Sequence, residues 1–150
     1  MKYSAAIDLG GTNIGVGIVG EDGTLLHNVS VPVEDASTAA ALISQLAEAV
    51  RLGAEGAGME LSSLEFVGVG VPGISSGAKG PVIFAPNIFW RDVDLAAVLE
   101  EQLGLPVFLA NDADCAALGE YNFGAGKNFG SMLMLTLGTG VGGAIVADGK

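Results

Sequence analysis

Apolar positions along this chain group into short strand-like runs bounded by turn residues, interrupted by two stretches at helical spacing. Tyr3 to Leu9 and Ile14 to Val19 read as a hairpin closed by Gly10-Gly11-Thr12. Glu21-Asp22-Gly23 is a further turn, leading to a third strand from Thr24 to Val31 that Pro32 ends or places at a sheet edge. Leu42, Ile43, Leu46, Ala49 and Val50 share one face of a long helix, which Asp35 can cap and Gly53, Gly56 and Gly58 end. Phe66 to Val71 reads as a buried strand by its β-branched content, followed by a Gly/Ser-rich loop through Gly80. Leu95, Val98, Leu99 and Leu103 define a second helix that opens near Asp92 or Asp94 and stops at Gly104 and Pro106. Val107 to Ala110 is a strand, Cys115 to Tyr121 a helix of small residues, and Ser131 to Leu137 with Val141 to Val146 a closing hairpin. Strands alternating with helices predict an α/β domain with a mixed sheet.

The closing hairpin repeats the first. Leu135-Thr136-Leu137-Gly138-Thr139-Gly140, continuing into Gly142-Gly143-Ala144-Ile145-Val146, superposes on Ile7-Asp8-Leu9-Gly10-Gly11-Thr12-Asn13 and its continuation, with a one-residue gap after the turn. A fold that uses such a hairpin twice can set the two turns face to face around one nucleotide. The loop Gly124 to Asn128 is then the place for a lobe boundary, with a first lobe over 1–122 and the opening of a second over 123–150.

Composition narrows the classes. With 50% hydrophobic residues in 150, a core can form, and 24 glycines without a period point to many tight turns. A net charge of -11 argues against nucleic acid as a partner, because phosphate backbones select Lys and Arg. The single cysteine, Cys115, excludes an internal disulfide and fits a reducing cytoplasm. Neither a signal peptide nor an apolar run of about 20 residues is present, so no membrane partner is expected and the cytoplasm is the expected compartment.

Three segments can carry chemistry. In Asp8-Leu9-Gly10-Gly11-Thr12-Asn13 the glycine N–H groups can bond phosphate oxygens, Thr12 adds a hydroxyl, and Asp8 can hold Mg2+ through water. The competing reading is an ordinary tight hairpin with a capping Asp. Gly138-Thr139-Gly140 has the same phosphate-binding character without a carboxylate, Thr136 standing where Asp8 stands. Asn111-Asp112 ends a strand, where α/β sheets face their ligand crevice, and Asp112 can act there as a general base. One of Asn111, Asp112 and Asp114 is expected to cap the next helix, with Asp114 preferred. Gly68-Val69-Gly70-Val71-Pro72-Gly73 can shape a pocket through its backbone, Asn87 can bond a sugar hydroxyl, and Trp90 can close a wall or simply fill the core. His27 is expected at the surface and Cys115 buried in its helix.

These motifs occur in one order: Asp-Leu-Gly-Gly-Thr-Asn, Gly-Val-Gly-Val-Pro-Gly, Pro-Asn-Ile-Phe-Trp, Ala-Asn-Asp-Ala-Asp-Cys-Ala-Ala-Leu-Gly-Glu and Leu-Gly-Thr-Gly-Val-Gly-Gly. Their order and spacing closely resemble the ROK family (repressor, open reading frame, kinase), bacterial glucokinases in particular, within the sugar kinase, Hsp70 and actin superfamily. The resemblance implies a ribonuclease H-like (actin-like ATPase) lobe, a mixed sheet flanked by helices, plus the first hairpin of a second lobe. It implies phosphoryl transfer from MgATP to the 6-hydroxyl of glucose or a related hexose. By position, Asp8, Gly10, Gly11, Thr12 and Asn13 match the first phosphate motif, and Gly138, Thr139 and Gly140 the second. Asp112 matches the general base, Asn111 its sugar-binding neighbour, Gly73 and Asn87 the pocket wall, and Asp114 to Glu120 the helix between lobes. A homodimer is a common assembly in the family. Family members continue with a Glu/His sugar-binding segment, a cysteine-rich structural Zn2+ motif and an adenosine site, none of which lies in these 150 residues. The chain is therefore expected to be part of a longer protein and to lack turnover in isolation. Two other readings remain: a sugar-sensing transcriptional regulator of the same family, and a non-catalytic sugar-binding module.

Overall fold

In the computed structural model, which describes residues 1–137 and 141–149, β1 (Tyr3–Leu9), β2 (Asn13–Gly20) and β3 (Leu25–Pro32) form an antiparallel meander. Helix α1 (Ala39–Gly56) returns the chain to β4 (Leu64–Val71), which pairs parallel with β1. Three short strands follow, β5 (Ile74–Ser75), β6 (Val82–Ala85) and β7 (Trp90–Val93), in a small antiparallel sheet. Helix α2 (Leu95–Leu103) leads to β8 (Val107–Asn111), parallel to β4, and α3 (Asp112–Phe123) leads to the hairpin of β9 (Ser131–Leu137) and β10 (Val141–Ala147). The main sheet runs β3-β2-β1-β4-β8 and is mixed, as expected for an α/β domain, and β9 and β10 stand apart from it and from the small sheet as a third sheet.

Strand alternation decides what the two faces of the main sheet carry. Ile7 and Leu9 of β1, Ile14, Val16 and Ile18 of β2, Val67, Val69 and Val71 of β4 and Val107 and Leu109 of β8 point to one face and are buried. Leu42, Ile43, Leu46 and Val50 of α1 and Leu95 and Leu99 of α2 join them in a single core. Each such side chain stabilises the fold by about 1.5–3 kcal/mol relative to exposure. The other face presents Ala6, Asp8, Gly15, Gly17 and Gly70, and α3 lies over its edge, leaving a groove of about 630 Å³. Pro32 falls on the edge strand β3, where a missing N–H costs no ladder bond.

Several boundaries differ from the sequence expectation, each for a local reason. The cap of α1 is Thr38, whose Oγ1 accepts the Ala41 N–H at 3.1 Å. Asp35 instead accepts the Ser37 N–H at 2.8 Å, in a turn that Gln45 pins by accepting the Glu34 N–H. Gly53 does not end α1; it is buried inside it, where the lack of a side chain brings the helix against Val16. The loop predicted after β4 contains β5, and the three strands from β5 to β7 are too short for a periodic signal. Trp90 is 4% exposed and belongs to the core, not to a pocket wall. His27 is half-buried over Gly56 rather than at the surface, and Cys115 is exposed rather than buried. Among the described residues no helix is long and apolar enough to cross a membrane.

Candidate functional site

Three parallel strands, β1, β4 and β8, end side by side, and their register aligns Asp8 with Gly70 and Gly70 with Ala110. Gly70 lies directly beneath Asp112: a Cβ built there would stand 3.5 Å from the Cα of Asp112 and 3.8 Å from its Cβ, in ordinary van der Waals contact. Asp112, the first residue of α3, therefore settles over Gly70, while Asp8 rises from the strand on the other side. Asp8 is exposed and Asp112 half-buried. Both line a cleft of about 710 Å³ at the carboxyl ends of the strands, where α/β sheets hold their ligands. The predicted residues Gly10, Gly11, Thr12, Gly73, Asn87 and Asn111 line the same cleft.

The turn between β1 and β2 is built for close approach. The Gly10 N–H donates to the Asn13 carbonyl at 3.0 Å, and a Cβ on Gly10 would fall 2.8 Å from that oxygen, so glycine is required. Asn13 thereby closes the turn, and its Nδ2 donates to Thr12 Oγ1 at 3.2 Å; it does not line the cleft. The N–H groups of Gly11 and Thr12 have no acceptor among the described residues, and free turn amides of this kind bind anionic oxygens. The Asn87 carbonyl packs against Gly11, 3.3 Å from a Cβ built there, while the Asn87 side chain is exposed and has no hydrogen-bond partner among the described residues.

At the other wall, Asn111 rather than Asp114 caps α3. Its Oδ1 accepts the N–H of Ala113 at 2.9 Å and of Asp114 at 3.3 Å, and its Nδ2 donates to the Gly73 carbonyl at 3.0 Å. Asn111 wins because it ends β8 in extended geometry one residue before the helix, whereas Asp114 already lies in the first turn. One carboxylate oxygen of Asp112 accepts the Ala113 N–H at 2.8 Å.

The second hairpin approaches from above. Its register places Gly142 opposite Thr136, as the first places Gly15 opposite Asp8, and Thr136 lines the cleft together with Asp8. The predicted turn Gly138-Thr139-Gly140 lies outside the described residues. Gly70 was read in the sequence only as part of a segment whose backbone can shape a pocket, and Gly142 only as part of the repeated hairpin. The alternation Gly68-Val69-Gly70 marks the open face of β4, but the residue that meets Gly70 there lies on a helix far along the chain.

Among the described residues no group of three His, Cys, Asp or Glu side chains could hold a metal ion. Asp8, at the end of β1 beside the phosphate turn, can meet a divalent cation whose remaining positions are filled by phosphate oxygens and water, the usual pattern for Mg2+. An exposed carboxylate beside two free turn amides fits that role. Cys115, on the α3 side of the groove, is not activated: partial burial of its thiol, then the carboxylates of Asp114, Asp112 and Asp8, push its pKa above the ordinary thiol value.

Residues 4–150 match the ROK family model. A glucokinase of Streptomyces coelicolor is 41% identical over 152 residues, spanning 100% of this chain and 45% of that protein. A ROK family glucokinase from Streptomyces griseus, solved with glucose and AMPPNP, superposes with a TM-score of 0.88 at 38% identity, covering 99% of this chain and 45% of that one. A xylose repressor of Caldicellulosiruptor bescii is 38% identical over 84 residues, 56% of this chain and 21% of the repressor. The chain thus spans about half the length of the curated relatives it matches end to end. The paired hairpins, the order of the main sheet and the match over nearly every residue lead to one conclusion: this chain belongs to the ROK family.

Proposed function

We propose that this chain is the N-terminal part of an ATP-dependent hexose kinase, transferring the γ-phosphoryl group to the 6-hydroxyl of glucose or a related hexose. The observation that carries this reading is the convergence of Asp8, the free N–H groups of Gly11 and Thr12, and Asp112 on one cleft. A sugar binder needs neither a phosphate turn nor a second carboxylate beside it. The glucokinase likeness along the whole chain supports the same reading.

In this mechanism the sugar lies between Gly73, Asn87, Asn111 and Asp112, with its 6-hydroxyl at the Asp112 carboxylate. Asp112 takes the hydroxyl proton as the oxygen attacks the γ-phosphorus, the bond from that phosphorus to the bridging oxygen breaks, and ADP leaves. The N–H groups of Gly11 and Thr12, with Gly10 and Asn13 holding the turn, donate to phosphate oxygens, and Gly138, Thr139 and Gly140 take the same role from the second hairpin. Asp8 would hold Mg2+ through water, and the ion would supply charge neutralisation at the nucleotide. Residues 1–122 form one lobe and 123–150 open the second, in a cytoplasmic protein whose adenine site and remaining sugar contacts come from further sequence.

A sugar-sensing regulator is the second reading, favoured by the xylose repressor likeness over part of the chain. Asp112→Asn separates them. In a full-length protein carrying this chain, glucose-dependent ADP release should fall by about 10²–10⁴ with sugar affinity nearly kept, the usual loss for a general base. Wild-type turnover by the variant would remove Asp112 from the chemistry. Tight sugar binding without phosphorylation of any hexose by the parent protein would favour the regulator.

A further inference from the structure

We infer that Asn111 is first a positioning residue for Asp112, and that its contact with the sugar is confined to a single N–H donor. This rests on the kinase reading for its functional consequence but on geometry for its origin. A side-chain amide offers two N–H donors and an oxygen with two lone pairs. Both lone pairs of Asn111 Oδ1 are taken by the N–H groups of Ala113 and Asp114, and one donor is taken by the Gly73 carbonyl. Three of its four hydrogen-bonding capacities are therefore internal.

Those three bonds join two parts of the cleft wall. On one side they fix the first turn of α3, whose first residue is Asp112. On the other they anchor that turn to Gly73, which is itself immobilised. The Gly73 N–H donates to the Val71 carbonyl at 2.8 Å, and β6 crosses so close that a Cβ on Gly73 would fall 2.2 Å from the Phe84 carbonyl oxygen. Gly70 supplies the floor beneath Asp112. A path of direct contacts thus runs from the small sheet through Gly73 and Asn111 to the base. Without the Asn111 bridge, α3 would be held to the wall by packing and by its continuity with β8, and the Asp112 carboxylate would keep only the bond from the Ala113 N–H to fix its aim.

The test compares Asn111→Ser, which keeps a capping oxygen but removes the bond to Gly73, with Asn111→Asp, which keeps the shape and the cap but sets a carboxylate oxygen against the Gly73 carbonyl. In the full-length protein both should lower kcat by about 10–100-fold, the scale of a misplaced catalytic group, while KM for the sugar rises by about tenfold at most, the share of the one N–H donor that both variants remove. Three-bond NMR couplings at Asp112 should change from one side-chain rotamer to an average in both variants, a readout that needs no turnover. A rise in KM at unchanged kcat, or unaltered Asp112 couplings, would overturn the inference and make Asn111 a sugar ligand only. Absence of turnover in the parent protein would sink the kinase reading alone, and the couplings would still decide the role of Asn111.

Discussion

Gly73 shows how much a single atom decides at this site. Its carbonyl receives Asn111 and the backbone of β6 passes over its α-carbon, with a built Cβ 2.2 Å from the Phe84 oxygen and 2.8 Å from the Ala85 Cα. Those neighbours are backbone, so they cannot rotate away as a side chain would. Gly73→Ala should therefore displace β6 and destabilise the fold by roughly 1–3 kcal/mol, the usual scale of overpacking. Urea unfolding of the purified chain measures it, and an unchanged midpoint would show that β6 yields freely. The sequence marked Gly73 as part of a pocket wall. Its reason for being glycine is a strand that local pattern did not reveal.

At the scale of elements, Glu100 ties α2 to the strand that follows and to the segment before β6. Its Oε1 accepts the Lys79 Nζ at 2.5 Å and the Val107 N–H at 2.8 Å, while the Gly104 N–H closes the helix on the Glu100 carbonyl. The hydrogen bond from Lys79, then the one from Val107, hold the Glu100 pKa below its ordinary value near 4.5. A lowered folded pKa means that the unfolded chain binds protons more readily. The contribution is then present above about pH 4.5 and fades as pH falls through the folded pKa. Glu100→Gln should lower the urea midpoint at pH 7 and approach the parent protein at pH 3. An equal gap at both pH values would assign the effect to packing. On the same strand, the Leu109 N–H donates to the Ala78 carbonyl at 2.8 Å, which covers part of an edge that would otherwise offer itself to another chain.

On the scale of the whole molecule, the chain presents more apolar surface than a self-sufficient domain needs. Leu133, Leu135 and Leu137 face Ile145, Gly143 and Val141 across the outer side of the second hairpin, and the large side chains among them are exposed. An exposed apolar face of this extent is the kind that further sequence or a partner covers, and the chain spans 45% of the length of the Streptomyces coelicolor glucokinase it matches. With a net charge of -11, the chain also repels a nucleotide unless cations or further sequence offset it. Residues 1–150 alone should accordingly show no glucose-dependent ADP release in a coupled assay, even with saturating MgATP. Turnover by the isolated chain would refute this and would place a complete nucleotide site within it.

The sequence by itself determined the repeated hairpins, the order of the longer strands and helices and the placing of carboxylates at strand ends. Each of these is written in local signals: hydrophobic runs, turn glycines, and an Asp at the end of a strand. Only the tertiary structure decided how they are used. Thr38 displaced Asp35 as the cap of α1 because Gln45 holds the preceding turn, and Asn111 displaced Asp114 because it alone stands between β8 and α3. Trp90 went to the core with β7, and Gly70 became the floor beneath Asp112 through a contact between distant segments. Caps and close approaches depend on which groups meet in space, and parallel strand register, set by packing across α1 and α2, is what brings Asp8, Gly70 and Asp112 together.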